Sequence, residues 1–226
     1  MILFDGGSWL YGDELEDREK YRFSKILSER VNREHVNISE PGKSNNAILR
    51  TTIEYCENNL VDIAIIQFTG TSRTEIRAPN EDRYISLSIG NVLKNGHSKE
   101  LSEKYYQYIH NDNEEIANFH KNKFLLEYYF KTKNIPYFFV STDQTYYKFR
   151  TSGVIESSWY HMMNKEPVKS LVNLLGDSNR NEKYYCQGRY KKSDKRSLGH
   201  PNKLGHKVIA EYIYENFLNK YASGKI

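Results

Sequence analysis

A serine stands behind two glycines near the start of the chain, in the segment Asp5-Gly6-Gly7-Ser8. The segment follows the short apolar run Met1 to Phe4 and precedes a helical pattern. Small residues permit a sharp strand-to-helix turn, and a serine at such a turn exposes its hydroxyl at the edge of a sheet. The segment fits two interpretations: a capped turn, or a nucleophile whose own N–H faces an oxyanion.

A histidine stands immediately before the last helical pattern. His200 precedes Pro201 and the amphipathic stretch 202–221. A histidine in this loop can reach across the sheet edge to a serine that follows the first strand, and the two would form a Ser–His unit. Taken alone, a His-Pro pair indicates only a turn. The seven histidines are scattered, and the spacing of His200 and His206 does not match a helical pair of metal ligands, so we expect no metal and no cofactor.

The loop "PGKSNN" lies between a strand pattern and a helix pattern. Gly42 can offer an unobstructed backbone N–H to a ligand. Asn45 can donate its side-chain amide, although the common role of an asparagine here is to cap the helix.

The segment "FTGTSRTE" follows the most apolar strand pattern of the chain. Thr69 and Thr71 supply hydroxyl groups at the strand end. Arg73 fits two roles, since it can bind an anionic substrate or pair with Glu75 as part of the structure.

Four apolar, β-rich runs alternate with helical patterns along the chain. This order predicts an α/β protein: a three-layer α/β/α sandwich around a flavodoxin-like parallel sheet of about five strands. In such sheets ligands bind beyond the carboxyl ends of the strands, where the loops above lie. The predicted strands are Met1 to Phe4, His35 to Ser39, Val61 to Phe68 and Ile135 to Ser141.

The helical patterns cover 13–31, the later part of 41–59, 111–133 and 202–221. With no repeat or linker in view, the pattern predicts one domain over 1–226 with insertions near 70–110 and 142–187. Residues 70–110 are expected to be irregular. The tyrosine-rich residues 142–187 are expected to be mixed.

The composition restricts the classes of protein to consider. Lysine and arginine number 33 against 29 acidic residues, which gives a net charge of +4, and the basic stretch 188–196 is either a solvated loop or a contact for nucleic-acid phosphates. Neither a signal peptide nor a membrane-spanning run is present, which predicts a cytoplasmic protein with no membrane partner; a virion or non-classical secretion stays open. The two cysteines imply no disulfide framework.

These segments, in this order, resemble the SGNH (GDSL-type) hydrolase superfamily. "DGGSWLYGDEL" resembles the serine block, "PGKSNNAILR" the glycine block, "FTGTSRTEI" the third block of a divergent branch, and "GHPNKLGHKVIAEYI" the histidine block. The resemblance implies ester hydrolysis through a serine acyl-enzyme. By position, Ser8 would be the nucleophile and His200 the general base, and the N–H groups of Ser8 and Gly42 would form part of the oxyanion hole.

The sequence departs from the family pattern in two important ways. The third-block asparagine is absent, and Asn45, Thr69 or Thr71 are candidate replacements. The family's aspartate, two or three residues before the histidine, is also absent, because those positions are Leu198 and Ser197.

Several groups are candidates for the missing acid's task of orienting His200. Asp194 is the nearest upstream acid, and Asp143 or Asp177 in the second insertion are further candidates. A backbone carbonyl or Ser197 would leave a Ser–His dyad instead.

The polar insertions favour a small ester or an O-acetylated carbohydrate as substrate, with Trp9 and Arg73 as candidate contacts. The alternative is a catalytically degenerate fold that binds a glycan, a nucleic acid or a protein partner. A phosphate-binding flavodoxin-like domain ranks third, because neither a P-loop nor a G-x-G-x-x-G spacing is present.

Overall fold

A five-stranded parallel sheet forms the centre of the protein in the computed structural model, which describes residues 1–78, 82–89, 98–142, 169–176, 182–186 and 199–224. Its strand order is β2-β1-β3-β6-β7, and β4 and β5 form a separate antiparallel hairpin. The strands are β1 (Ile2–Gly6), β2 (His35–Asn37), β3 (Ile63–Phe68), β4 (Thr74–Arg77), β5 (Tyr84–Leu87), β6 (Tyr137–Ser141) and β7 (Lys169–Ser170).

Helices cover both faces of this sheet. Among the described residues, none of them combines the length and the apolar character needed to cross a bilayer. A 3₁₀ turn spans Glu182–Tyr184, and a π-helical turn spans Tyr214–Leu218. The α-helices are α1 (Ser8–Tyr11), α2 (Arg18–Tyr21), α3 (Phe23–Arg30), α4 (Asn45–Asn58), α5 (Lys99–Tyr108), α6 (Asp112–Thr132), α7 (Leu171–Leu175), α8 (Lys203–Ile213) and α9 (Asn219–Ala222).

The apolar run of β3 divides its side chains between two buried clusters. Ile63 and Ile65 belong to a cluster with residues of α3 and α8, whereas Ala64 and Ile66 belong to one with residues of α4 and α6. Successive side chains of a strand point to opposite faces, so a continuous apolar run requires cover on both faces. The predicted three-layer α/β/α sandwich is confirmed.

The chain reverses its winding direction between β1 and β3. From β1 the next strand, β2, pairs on one side, and β3 then pairs on the other side. Open α/β sheets bind ligands at such a switch point, beyond the carboxyl ends of the two strands. Ser8 follows β1 after one residue, Gly7, and Thr69 directly follows β3.

One predicted helix is broken in the structure. Residues 13–31 contain a turn followed by the separate helices α2 and α3. Gly12 and Glu14 have positive φ angles of 82° and 68°, which a right-handed helix does not accommodate, and Arg22 is extended between the two helices.

The two insertions differ from their predictions in different ways. Residues 70–110, expected to be irregular, contain the β4–β5 hairpin and α5. Most of residues 142–187 lies outside the described residues, but β7, which had no signal in the sequence, supplies the fifth strand. The long helix predicted over 111–133 is confirmed as α6, capped by the Asn111 side chain, which accepts N–H groups from Asn113 and Glu114.

Candidate active site

Ser8 is the first residue of α1 and lies half-buried at the switch point. We call residues Gly6–Leu10 the serine turn. A Cβ on Gly6 would lie 2.7 Å from the backbone oxygen of Gln67, and a Cβ on Gly7 would collide with the methyl group of Thr69. Both glycines are therefore required by close approach of β3, which explains the small residues before the serine.

The side chain of Gln67 in β3 holds the serine turn by hydrogen bonds. Its Oε1 accepts the N–H groups of Gly7 at 3.0 Å and Leu10 at 3.3 Å. Its Nε2 donates to the carbonyl of Phe68 at 2.8 Å and to the hydroxyl of Thr142 at 2.5 Å. Sequence reasoning missed this fully buried residue, although a glutamine inside the apolar run of β3 was the available signal.

His200 lies on a short stretch of chain that is pinned on both sides. Its carbonyl accepts the N–H of Cys186 at 2.8 Å, and Pro201 forms a bridge with Tyr185. A Cβ on Gly199 would collide with the carbonyl oxygen of Cys186, so only glycine fits before the histidine. The position of the imidazole is therefore set by the backbone that carries it.

Two carboxylates face the His200 side chain. Glu14 Oε2 lies 3.4 Å from Nδ1 and accepts the backbone N–H of His200 at 3.2 Å. Asp13 Oδ2 lies 3.8 Å from Nε2. We call residues Gly12–Glu14 the acid segment, and it is tied to the nucleophile candidate because the Asp13 N–H donates to the Ser8 carbonyl at 3.0 Å.

Sequence reasoning looked for this acid in other places. Asp194, Asp143, Asp177, Ser197 and Leu198 all lie outside the described residues. The acid segment was visible only as an acidic pair after a glycine, six residues beyond the serine, and nothing in a linear pattern links it to His200.

Gly42 lies in the loop between β2 and α4 with φ of 80°, a left-handed conformation that favours glycine. A Cβ built there would meet no atom within 4 Å, so the space beside it is open. Within the described part of the chain, its N–H has no protein acceptor.

Asn45 and Thr69 bind each other rather than open space. The Asn45 side chain donates to the Thr69 carbonyl at 3.0 Å and accepts the Thr69 N–H at 2.9 Å, while the Thr69 hydroxyl donates to the Lys43 carbonyl at 2.8 Å. These contacts join the start of α4 to the end of β3, and they give no support to the predicted role of either side chain at an oxyanion. Thr71 lies half-buried in the turn that follows β3.

Arg73 reaches the serine turn. Its Nη1 lies 3.8 Å from the position that a Cβ would take on Gly7. Glu75, the partner that the sequence suggested for Arg73, is bound in bidentate fashion by Arg50 at 3.0 Å from each of two nitrogens. The guanidinium of Arg73 therefore lies beside the serine turn, and its contact with substrate stays a prediction.

Trp9 occupies a different place from the one predicted. It is 6% exposed and packs edge-to-face against Tyr185, with ring centroids 6.0 Å apart. The predicted substrate contact is corrected: the indole is a core side chain that anchors α1, because a ring of this size buries a large apolar area.

A buried ion pair supports the loop that carries Gly42. Lys43 Nζ donates to Asp5 Oδ1 at 2.5 Å and to the Ile38 carbonyl at 2.9 Å. The hydroxyls of Thr51 and Thr52 donate to the other Asp5 oxygen at 2.6 and 2.9 Å. Burial raises the pKa of the Asp5 carboxyl, and Lys43 opposes that effect.

His206 is the second histidine near the site and has a different environment. Its Nδ1 accepts the N–H of Phe23 at 3.2 Å, and its ring stacks on that of Phe23. Burial, followed by the proximity of His200, lowers the pKa of His206 to about 3. In the described ranges, no three His, Cys, Asp or Glu side chains are grouped so that they could hold a metal ion.

The fold defines a class, the three-layer α/β/α sandwiches with a parallel sheet, and here a serine lies at the switch point of that sheet. No protein-family model matches the chain, and no curated protein matches its sequence. Solved structures do match over nearly the whole chain. A protein of the lipolytic G-D-S-L family from Desulfitobacterium hafniense DCB-2 is 14% identical, with a TM-score of 0.52 and coverage of 95% of this chain and 97% of that one.

Two further solved structures give the same result. The psychrotrophic esterase EstA from Pseudoalteromonas sp. is 14% identical, with a TM-score of 0.50 and 98% of each chain covered. TesA is 12% identical, with a TM-score of 0.53 and coverage of 95% of this chain and 96% of that one. The chain therefore has the fold of the GDSL (SGNH) hydrolases, and the resemblance inferred from its sequence blocks is confirmed at the level of the fold.

Proposed function

We propose that the protein is a serine esterase in which Ser8 is the nucleophile and His200 the general base. The observation that carries the proposal is the link between the two residues. His200 is bound by Glu14, and the acid segment that contains Glu14 is bound to the backbone of Ser8. A histidine is thereby brought to the segment that begins with the strand-end serine.

The reaction would proceed in two halves. The Ser8 oxygen attacks the ester carbonyl carbon while its proton passes to the His200 imidazole. The C–O bond to the alcohol then breaks, the alcohol takes that proton, and the acyl group stays on Ser8. Water repeats the sequence with His200 as base, which releases the carboxylic acid and restores the serine.

Backbone N–H groups would stabilise the negative charge on the carbonyl oxygen. The Ser8 N–H lies in the first turn of a helix, where the N–H groups lack helical acceptors, and the Gly42 N–H has no protein acceptor among the described residues. A well-placed donor of this kind lowers the activation barrier by about 3 kcal/mol. Arg73, whose Nη1 lies beside Gly7, is proposed to contact the substrate.

Covalent labelling tests the proposal. A fluorophosphonate probe is expected to attach to Ser8, and Ser8→Ala or His200→Ala is expected to abolish both labelling and p-nitrophenyl acetate hydrolysis. Ser223→Ala is the matched control, since Ser223 is an exposed serine just after α9 and should change neither. A folded wild-type protein that is neither labelled nor active would refute the esterase proposal and favour a binding protein.

The substrate proposed is a small ester or an O-acetylated carbohydrate. Support comes from the polar groups near the serine turn, where Arg73 lies beside Gly7 and the Tyr106 hydroxyl donates to the Ser72 carbonyl. Acetate release from acetylated oligosaccharides should exceed the release of fatty acid from long-chain esters. The reverse preference would refute this substrate class and leave the serine mechanism intact.

A further inference from the structure

We infer that Glu14 is the positioning acid of His200 and replaces the carboxylate that the chain lacks just before the histidine. The inference rests on the proposed function, in which His200 acts as the base. Oε2 of Glu14 accepts the backbone N–H of His200 at 3.2 Å and lies 3.4 Å from Nδ1 of the ring, a buried nitrogen that has no hydrogen-bond partner among the described residues, so a small shift of the carboxylate would complete the contact. A carboxylate on Nδ1 holds the proton there and leaves Nε2 free to accept the proton of a nucleophile.

The backbone of the acid segment is bent so that Glu14 reaches His200. The Ser8 carbonyl accepts the N–H groups of Gly12 at 3.1 Å and Asp13 at 3.0 Å, which closes α1. Gly12 and Glu14 are then both left-handed. For a residue other than glycine this conformation costs about 1–3 kcal/mol and persists where the surroundings fix it, often at functional sites.

The surroundings of Glu14 suit a carboxylate that stabilises a transient cation. Its side chain is 13% exposed, and within the described part of the chain no lysine or arginine lies within ion-pair distance of it. The charge that would pair with Glu14 is the imidazolium that forms when His200 accepts a proton. Cys186 is close to both acids, and its thiol pKa is raised to about 11 by burial and by Glu14 and Asp13, so it stays neutral.

Asp13 is the weaker candidate for the same task. It lies on the Nε2 side of the ring at 3.8 Å and is 34% exposed, so water screens its charge more than that of Glu14. It also has no contact with the backbone of His200 among the described residues. A structural role for Glu14 alone, as an anchor for the His200 N–H, is the competing explanation that the experiment must separate.

The test is Glu14→Gln, which keeps an oxygen for the His200 N–H and removes the charge. We expect kcat for p-nitrophenyl acetate to fall by about 10²–10⁴, as for triads whose acid is made neutral, with KM almost unchanged. Glu14→Asp should give an intermediate kcat, because it restores the charge at a longer reach. Glu16→Gln is the matched control: Glu16 pairs with Lys203 at 3.0 Å on the exposed surface, and its loss should leave kcat unchanged.

A spectroscopic measurement makes the test independent of turnover. The ¹⁵N shifts of neutral His200 should show the Nδ1–H tautomer in the wild type and a mixture of tautomers in Glu14→Gln. This is measured on folded protein without substrate, so it tests the contact even if the wild type proves inactive and the proposed function fails.

Three results would overturn the inference. The first is an active wild type whose kcat changes less than about threefold in Glu14→Gln. The second is the same His200 tautomer in folded wild type and in folded Glu14→Gln, which would make Glu14 only an anchor for the backbone. The third is a large loss of kcat in Asp13→Asn and not in Glu14→Gln, which would assign the task to Asp13.

Discussion

Asp5 and Glu14 are two carboxylates at the same edge of the sheet with opposite surroundings. Asp5 is fully buried, and its oxygens bind Lys43 and two threonine hydroxyls. Glu14 is 13% exposed, and it accepts the backbone N–H of His200 and lies 3.4 Å from Nδ1 of the ring. A carboxylate with a complete set of permanent partners serves the fold, whereas one that faces a titratable group is available for chemistry.

His206 and His200 show the same contrast between a buried structural group and a partly exposed one. His206 is fully buried, with one nitrogen bound to the Phe23 backbone. His200 is 21% exposed and lies between two acids. The two histidines are six residues apart in one sequence block, so burial and partners, and not sequence position, separate the structural histidine from the proposed base.

The largest expected effect is a loss of stability in acid that is due to His206. Its pKa is about 3 in the folded protein and about 6.5 when unfolded, so the unfolded state binds more protons between these values and stability falls as pH falls through that window. At about 1.4 kcal/mol per pKa unit, the loss approaches roughly 5 kcal/mol at the acid end. Urea unfolding of wild type and His206→Asn between pH 7 and pH 4 should give a flatter curve for the variant; parallel curves would contradict the buried, neutral histidine.

Breaking the Asp5–Lys43 pair should be the next largest effect. Asp5→Asn leaves the Lys43 ammonium in a site that is 4% exposed, and the free energy of unfolding should fall by about 3–5 kcal/mol. Asp82→Asn is the control, since Asp82 pairs with Arg77 in solvent and should have almost no effect. If Asp5→Asn and Asp82→Asn unfold at the same denaturant concentration, Asp5 has no structural role, and its contrast with Glu14 fails.

Gln67→Leu should have an intermediate effect on both stability and labelling. It leaves the N–H groups of Gly7 and Leu10 buried without an acceptor, which costs about 1–3 kcal/mol, and it loosens the serine turn so that Ser8 should react more slowly with a fluorophosphonate. Thr142→Val removes the hydrogen bond from Gln67 Nε2 to the Thr142 hydroxyl but leaves the Gln67 Oε1 contacts with the serine turn, so it should not slow that reaction. If both variants label at the wild-type rate, the turn does not depend on Gln67.

The smallest expected effect sharpens the comparison most. Glu14→Gln should change the free energy of unfolding by less than about 1 kcal/mol, because the amide still accepts the His200 N–H. The same variant is expected to lose most of its activity. In Glu14→Gln the loss of activity should therefore be large and the loss of stability small, whereas in Asp5→Asn the loss of stability is the main effect. A loss of several kcal/mol in calorimetry would make Glu14 structural, like Asp5.

Much of the fold could be predicted because long apolar runs mark elements that pack on both sides. The runs that become β3 and β6, and the capped helix α6, show that local pattern and tertiary packing agree. The break between α2 and α3 was not predictable, because the residues around Arg22 are ordinary helix formers. β7 has two residues, too few for any periodicity.

The site was predictable only where topology restricts it. Ser8 and His200 stand at loop positions that a parallel sheet brings to one edge, so their roles could be proposed from order along the chain. Glu14 could not be, because its contact with His200 spans 186 residues and depends on two left-handed residues. Asn45 and Thr69 were assigned to chemistry because their mutual hydrogen bonds leave no mark in the sequence.

The sequence separation of 186 between Glu14 and His200 also affects how the protein is made. A ribosome releases the segment with Ser8 and Glu14 long before it reaches His200. During most of synthesis the nascent chain therefore carries a serine without its base, and the proposed esterase can act only after the last helices have folded onto the sheet. Termination between residues 15 and 199 would yield a product that contains Ser8 and Glu14 but lacks His200, and the proposed esterase activity would be absent.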